Sequence, residues 1–195
     1  LSMEGSMSDR YKQFSQKYEY VSFSILLTDS DDDNILNGNI NLTEDVFERG
    51  EEFTRNLVDI SFFIFNFYDM EDILLLADGI SGDLEYVAGA YYRYCNSVSA
   101  VGSVAIIEDM VLHENVDNSN EEIQLVKYFL ARAMERLQTI GVGTVLFMTK
   151  ALMPNINKHE RIHLVDELLR MNILPIYQDS FDVVMAKNLD YRIEV

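Results

Sequence analysis

The run GSVAIIEDMVL (Gly102 to Leu112) is apolar and rich in β-branched residues, and it closes on the polar stretch HENVDNSN, which predicts a strand followed by a loop. Beyond that loop, Ile123, Val126, Leu130, Ala133, Met134, Leu137 and Ile140 recur at helical spacing. They lay one apolar stripe along a helix that Gly141 should end, with Arg132 and Arg136 near its C-terminus. TVLFMT (Thr144 to Thr149) then has the length of a buried strand. A second helix is expected over Lys158 to Met171 and, after Pro175, a last strand around Phe181 to Ala186. Upstream, YEYVSFSILLT (Tyr18 to Thr28) alternates and reads as the first strand, and the acidic DSDDDNILNGN follows as a loop. A helix is expected from Thr43, where Thr43-Glu44-Asp45 begins it and Val46, Phe53, Leu57, Ile60, Ile64 and Phe67 form its stripe. The sum is an α/β (α+β) layout of helices on one sheet.

Composition narrows the class. A chain of 195 residues with 48% hydrophobic residues can bury a sizeable core, and it has no repeat and no proline-rich linker, so residues 11–195 are expected to form a single domain. The opening LSMEGS resembles an expression scar, which assigns residues 1–10 to a disordered start with Met7 as a natural initiator. Thirty-three acidic against 15 basic residues give a formal charge of −18. That charge disfavours nucleic-acid phosphates and anionic membranes and favours a basic protein partner, although plain solubility explains such a charge as well. A lone Cys95, with no long apolar run and no secretory signal, fits a cytoplasmic protein.

In its residues the chain resembles the GNAT N-acetyltransferase superfamily. Ile107-Glu108-Asp109-Met110-Val111-Leu112 is similar to that family's fourth strand, and Leu125-Val126 sits where the following helix has its first apolar pair. Leu168-Leu169-Arg170-Met171-Asn172-Ile173 occupies the slot where the family closes its fourth helix. Ile73 to Cys95 looks like its second and third strands, joined by a glycine-containing turn. The resemblance implies a mixed, mainly antiparallel central sheet flanked by helices. It also implies a coenzyme A site made by the amides of Met110, Val111 and Leu112 and by the loop and helix start at Asp117, Asn120, Glu122 and Ile123.

The residues at that loop depart from the family's pattern. Its arginine or glutamine is replaced by Asp117, and its glycines by Asn120 and Glu122. Glycine lets a pyrophosphate approach backbone N–H groups at a helix N-terminus, whereas these side chains add bulk and negative charge. A like-charge pair at about 4 Å costs about 1 kcal/mol in water and several times that near a protein surface. As helix caps and dipole partners, Asp117 to Glu122 have a purely structural reading too. For acetyl transfer, Glu108 is the candidate base; the family's helix-four tyrosine falls at Leu168, which cannot donate a proton, and Tyr177 is the candidate substitute.

Other constellations are weaker. Asp29, Asp31 and Asp33 alternate like the start of a calcium loop, but Asn34 and Ile40 stand where glycine and the bidentate glutamate belong. His113, His159 and His163 lack a metal-binding pattern, so no metal is expected. Cys95 reads as a core residue, and Tyr91, Tyr92 and Tyr94 as strand packing beside Arg93. The leading expectation is thus an acetyltransferase-like protein that has lost ordinary acetyl-CoA catalysis, needs no cofactor and acts through protein–protein interaction or assembly, as degenerate acetyltransferase-like proteins of tailed phages do. The alternatives are an active N-acetyltransferase using acetyl-CoA on a basic amine, with Lys127, Lys150 or Lys158 neutralising the pyrophosphate, and an acidic nucleic-acid mimic.

Overall fold

Gly50 takes a left-handed backbone angle (φ 87°), and around it the chain doubles back as a long hairpin where the spacing predicts a helix from Thr43. Val46, Phe53, Val58, Ile60, Phe62 and Ile64 are β-branched or aromatic, and the last four alternate, so residues that fit a helical stripe also fit the strand period. Glycine would weaken the middle of a helix by about 1 kcal/mol, yet it supplies the positive φ that the turn requires. Phe67, the last residue of the expected stripe, lies outside the described residues. The computed structural model describes residues 18, 21–30, 32, 34–48, 50–66, 70–95, 102–114 and 119–189.

The elements run in the order β1 (Val21–Asp29), β2 (Ile35–Glu48), β3 (Glu51–Phe65), α1 (Met70–Ile80), α2 (Gly82–Cys95), β4 (Ser103–Leu112), α3 (Ser119–Thr139), β5 (Val142–Met148), α4 (Thr149–Leu152), α5 (Lys158–Leu169), β6 (Leu174–Gln178) and β7 (Val183–Asn188). Ile73 to Cys95 corrects a second expectation, since it forms two helices and not two strands. Leu84, Val87, Ala88 and Tyr91 follow the helical repeat and are buried, while the Ser81 hydroxyl accepts the Leu84 N–H (3.2 Å) at the start of α2. The tyrosines Tyr91, Tyr92 and Tyr94 therefore lie around a helix and do not alternate across a strand. β6 carries Pro175 and, as an edge strand, tolerates the lost donor.

The fold is a mixed α/β architecture with one seven-stranded sheet in the order β1-β2-β3-β4-β5-β7-β6, and every neighbouring pair is antiparallel except β4 and β5. Helices α3 and α5 cover one face, packing Ile123, Val126, Phe129, Leu164 and Leu168 on Ile60, Phe62 and Ile107. Helices α1 and α2 cover part of the other, with Ile73, Leu84 and Val87 packed in a cluster with Phe65, Val104 and Ile106. The α3 stripe is as expected through Leu137, but Ile140 is 43% exposed because the helix has already ended at Thr139. Among the described residues no helix is long and apolar enough to cross a membrane.

Candidate functional site

The one parallel pair makes the site. β4 and β5 pair only from Ser103 to Ile107, after which β4 continues beside β3 to Leu112 while β5 gives way at Met148 to α4. Glu108 marks the parting: Ile107 pairs with Phe62 and Asp109 with Ser61, so Glu108 is the extra residue of a bulge. Bulges end pairing and re-aim side chains, and here the side of β4 facing β5 is left without a strand partner beyond Ile107.

The opened space is a cleft of about 400 Å³. Asp109 to Leu112 line one side, Leu152 to Ile156 another, and Ser119, Glu122 and Glu160 bring in the starts of α3 and α5. Local sequence sets the α5 end of it. Asn157 caps the helix by accepting the His159 and Glu160 N–H groups (2.9 and 3.1 Å), and Glu160 returns the contact to the Asn157 N–H (3.0 Å), a complete capping box. The other Glu160 oxygen accepts the Ser119 hydroxyl, tying the starts of α3 and α5 together. These hydrogen bonds, the Ser119 hydroxyl foremost, hold the Glu160 carboxyl below the usual glutamate range.

Of the residues expected at a coenzyme site, Met110, Val111, Leu112 and Glu122 do line this cleft. Asn120 faces α5 and meets His163 Nε2 at 3.0 Å, Ile123 is fully buried in the core, and Asp117 lies outside the described residues. Asp109, Glu122 and Glu160 give the lining three carboxylates, and none of its described residues is basic. The lysines proposed to neutralise a pyrophosphate sit elsewhere. Lys127 is paired with buried Glu167, Lys150 with Asp83 (3.2 Å) and the Phe181 ring (3.7 Å to its centre), and Lys158 lines a different groove.

Glu108 and Tyr177 are not brought together by a hydrogen bond. Glu108 is exposed at the bulge, and its carboxyl is pushed up by partial desolvation and then by the nearby charges of Asp109 and Asp83. Tyr177 stands on β6 with its ring edge-on to Tyr86 (5.8 Å) and under the Arg93 guanidinium (5.0 Å). Leu168 is a core leucine of α5. Burial pushes the Cys95 thiol up, the reverse of an activated thiolate. His113 pairs with Asp59 (2.6 Å), far from the α5 histidines in sequence and partner, and no group of metal-ligating side chains gathers among the described residues. Of the calcium-like acids, Asp31 and Asp33 lie outside the described residues, while Asp29 ends β1.

Asp109, Ser119, Leu152 to Ile156 and Glu160 line the cleft without having been expected there. The spacing Asn157-x-x-Glu160 was a legible capping signal, but nothing in the chain marks Ser119 as its third partner. No protein-family model matches the chain, and no curated protein matches it significantly.

Proposed function

We propose that this chain is an acetyltransferase-like cytoplasmic protein that works by docking an extended basic segment of a partner protein, not by ordinary acetyl-CoA catalysis. The observation that carries this reading is the lining of the β4–β5 cleft, where carboxylates of Asp109, Glu122 and Glu160 lie beside the unpaired side of β4. A pyrophosphate placed there would meet like charge, whereas a lysine or arginine side chain would meet its complement. The main chain of β4 beyond Ile107, which has no strand partner on the β5 side, suits a peptide added alongside a strand, with hydrogen bonds from its backbone and specificity from its charges. The formal charge of −18 steers such a partner from a distance. The resemblance to acetyltransferases rests on the residues of β4 and on the mixed, mainly antiparallel sheet flanked by helices; the two helices after β3 depart from it.

Calorimetric titration with an oligolysine peptide and with acetyl-CoA tests the proposal. Oligolysine should bind, more weakly as salt shortens the screening length from about 10 Å at 0.1 M to about 3 Å at 1 M, and acetyl-CoA should give no binding at millimolar ligand. Micromolar acetyl-CoA binding, or peptide binding that ignores salt, overturns it. A second reading, N-acyl transfer to a basic amine, is supported by one observation, the bulge carboxylate Glu108 with its raised pKa beside Asp83 and Asp109. Transfer of an acetyl group from acetyl-CoA to an amine of spermidine or oligolysine, with release of the coenzyme A thiol, that disappears in Glu108→Gln would establish it.

A further inference from the structure

The two edges of the sheet are built differently. β6 is five residues long, carries Pro175 and has an irregular register with β7, features that keep another strand from pairing there. β1 has none of them: its nine residues hold an unbroken register with β2 from Val21 to Asp29 and include no proline, lysine or arginine. Among the described residues no strand pairs with its outer side, and Leu26 and Leu27 are 63% and 38% exposed. Alternation puts Val21, Phe23, Ile25, Leu27 and Asp29 on the side of the sheet that α3 covers. There the guanidinium groups of Arg132 and Arg136 stand over the Phe23 ring, 5.1 and 5.3 Å from its centre. Arg132 is shared with Glu135 of its own helix (2.9 Å), whereas exposed Arg136 has no ion pair among the described residues. Asp29, exposed at the end of the strand, has none there either.

We propose that β1 pairs antiparallel with β1 of a second copy of this chain, around a two-fold axis at Ile25, so that the two sheets join edge to edge. Ile25 is the midpoint of the strand, and this register pairs all nine of its residues. It sets Phe23 against Leu27 and Val21 against Asp29, which brings each copy's Asp29 to the side of the pair where the other copy's Arg132 and Arg136 lie. Because the interface is isologous, every such contact is made twice. A screening length of about 8 Å at physiological salt damps the repulsion between two bodies of formal charge −18 and leaves adjacent opposite charges largely in force. β2 and β3 stand between this edge and β4, so the pairing does not depend on what occupies the β4–β5 cleft. Analytical ultracentrifugation of the full chain at about 0.15 M salt, from about 1 μM to about 1 mM protein, provides the test. The mass should rise from 22.5 kDa toward twice that value across the range. Leu27→Lys, which sets an ammonium beside the arginines of the second copy, should weaken association at least about tenfold with the thermal midpoint of the dilute chain unchanged. Arg136→Glu should weaken it about tenfold, and adding Asp29→Arg to that variant should recover at least about threefold, a rescue that a merely structural role of Arg136 would not give. A chain that stays at 22.5 kDa throughout, a dimer indifferent to Leu27→Lys, or a charge reversal without rescue overturns the proposal.

Discussion

The β4–β5 cleft and the groove between α5 and the β6–β7 turn share one helix and differ in charge, the described lining of the cleft carrying three carboxylates and no base, that of the groove Lys158 and Arg161 together with Asp166 and Asp179. Glu160 faces the cleft with Asp109 and Glu122, and one residue later Arg161 faces the groove with Lys158. In an acidic chain the scarce basic residues are thus not spread evenly. Lys127 and Arg170 are committed to Glu167, Lys150 to Asp83 and Arg161 to Asp182. The difference teaches that net charge describes the long-range field but not the chemistry of a given concavity, which a helix sorts by face within one turn.

The sharpest break of this comparison is Glu167→Ala, which acts on the wall common to both sites. Glu167 is 2% exposed and receives Lys127 from α3 and Arg170 from its own helix, so its loss leaves a nearly buried ammonium unpaired. A cost of about 3 kcal/mol or more is expected, read as a lowered denaturant midpoint. The same pair gives a pH signature. Burial alone would raise the Glu167 pKa, but the Lys127 hydrogen bond and charge outweigh it and hold the carboxyl below its ordinary value. Its contribution is therefore complete above the unfolded value near about 4.3 and is lost as pH falls through the lower folded value, so wild type should lose stability faster than Glu167→Gln over that acid range.

Arg161→Gln comes next and acts on the groove alone, since loss of its contacts to the Phe181 carbonyl and to buried Asp182 should cost about 2 kcal/mol of stability in chemical denaturation with oligolysine affinity unchanged. Asn157→Ala removes the capping box between the two regions and should cost about 1 kcal/mol of stability, measured by chemical denaturation. The smallest effect belongs to Glu122→Gln, which should weaken oligolysine about threefold and reduce its salt dependence.

How much of this was legible beforehand varies along the chain. From β4 onward each apolar run has one period: β5 is buried at every position, and the stripe from Ile123 to Leu137 admits only a helix. Between Thr43 and Cys95 the periods are mixed. Leu57, Ile60 and Ile64 fit a helix as well as a strand, and the leucine-rich stretch after Ile73 gave no alternation to tell strand from helix. Tertiary pairing decided those cases, since Gly38 lies opposite Phe62 so closely that a Cβ there would come within 2.3 Å of the ring, a contact only a β2–β3 hairpin creates. At the cleft, Met110 to Leu112 and Glu122 were legible because strand β4 and the start of α3 were, while Ser119 and Asn155 depended on how two helix starts meet.

By itself the sequence determined the acidic character, the α/β class, the elements β4, α3, β5, α5 and β7 and the absence of glycine between Gly102 and Gly141, because these follow from side-chain type and local spacing, whereas the short α4 and the edge strand β6 were not legible. Only the tertiary structure decided that β4 and β5 lie parallel and then part, that Glu160 reaches Ser119, and that Arg161 reaches the Phe181 carbonyl and Asp182. Each of those depends on groups distant in sequence being held together by the packed core, and no local periodicity carries that information.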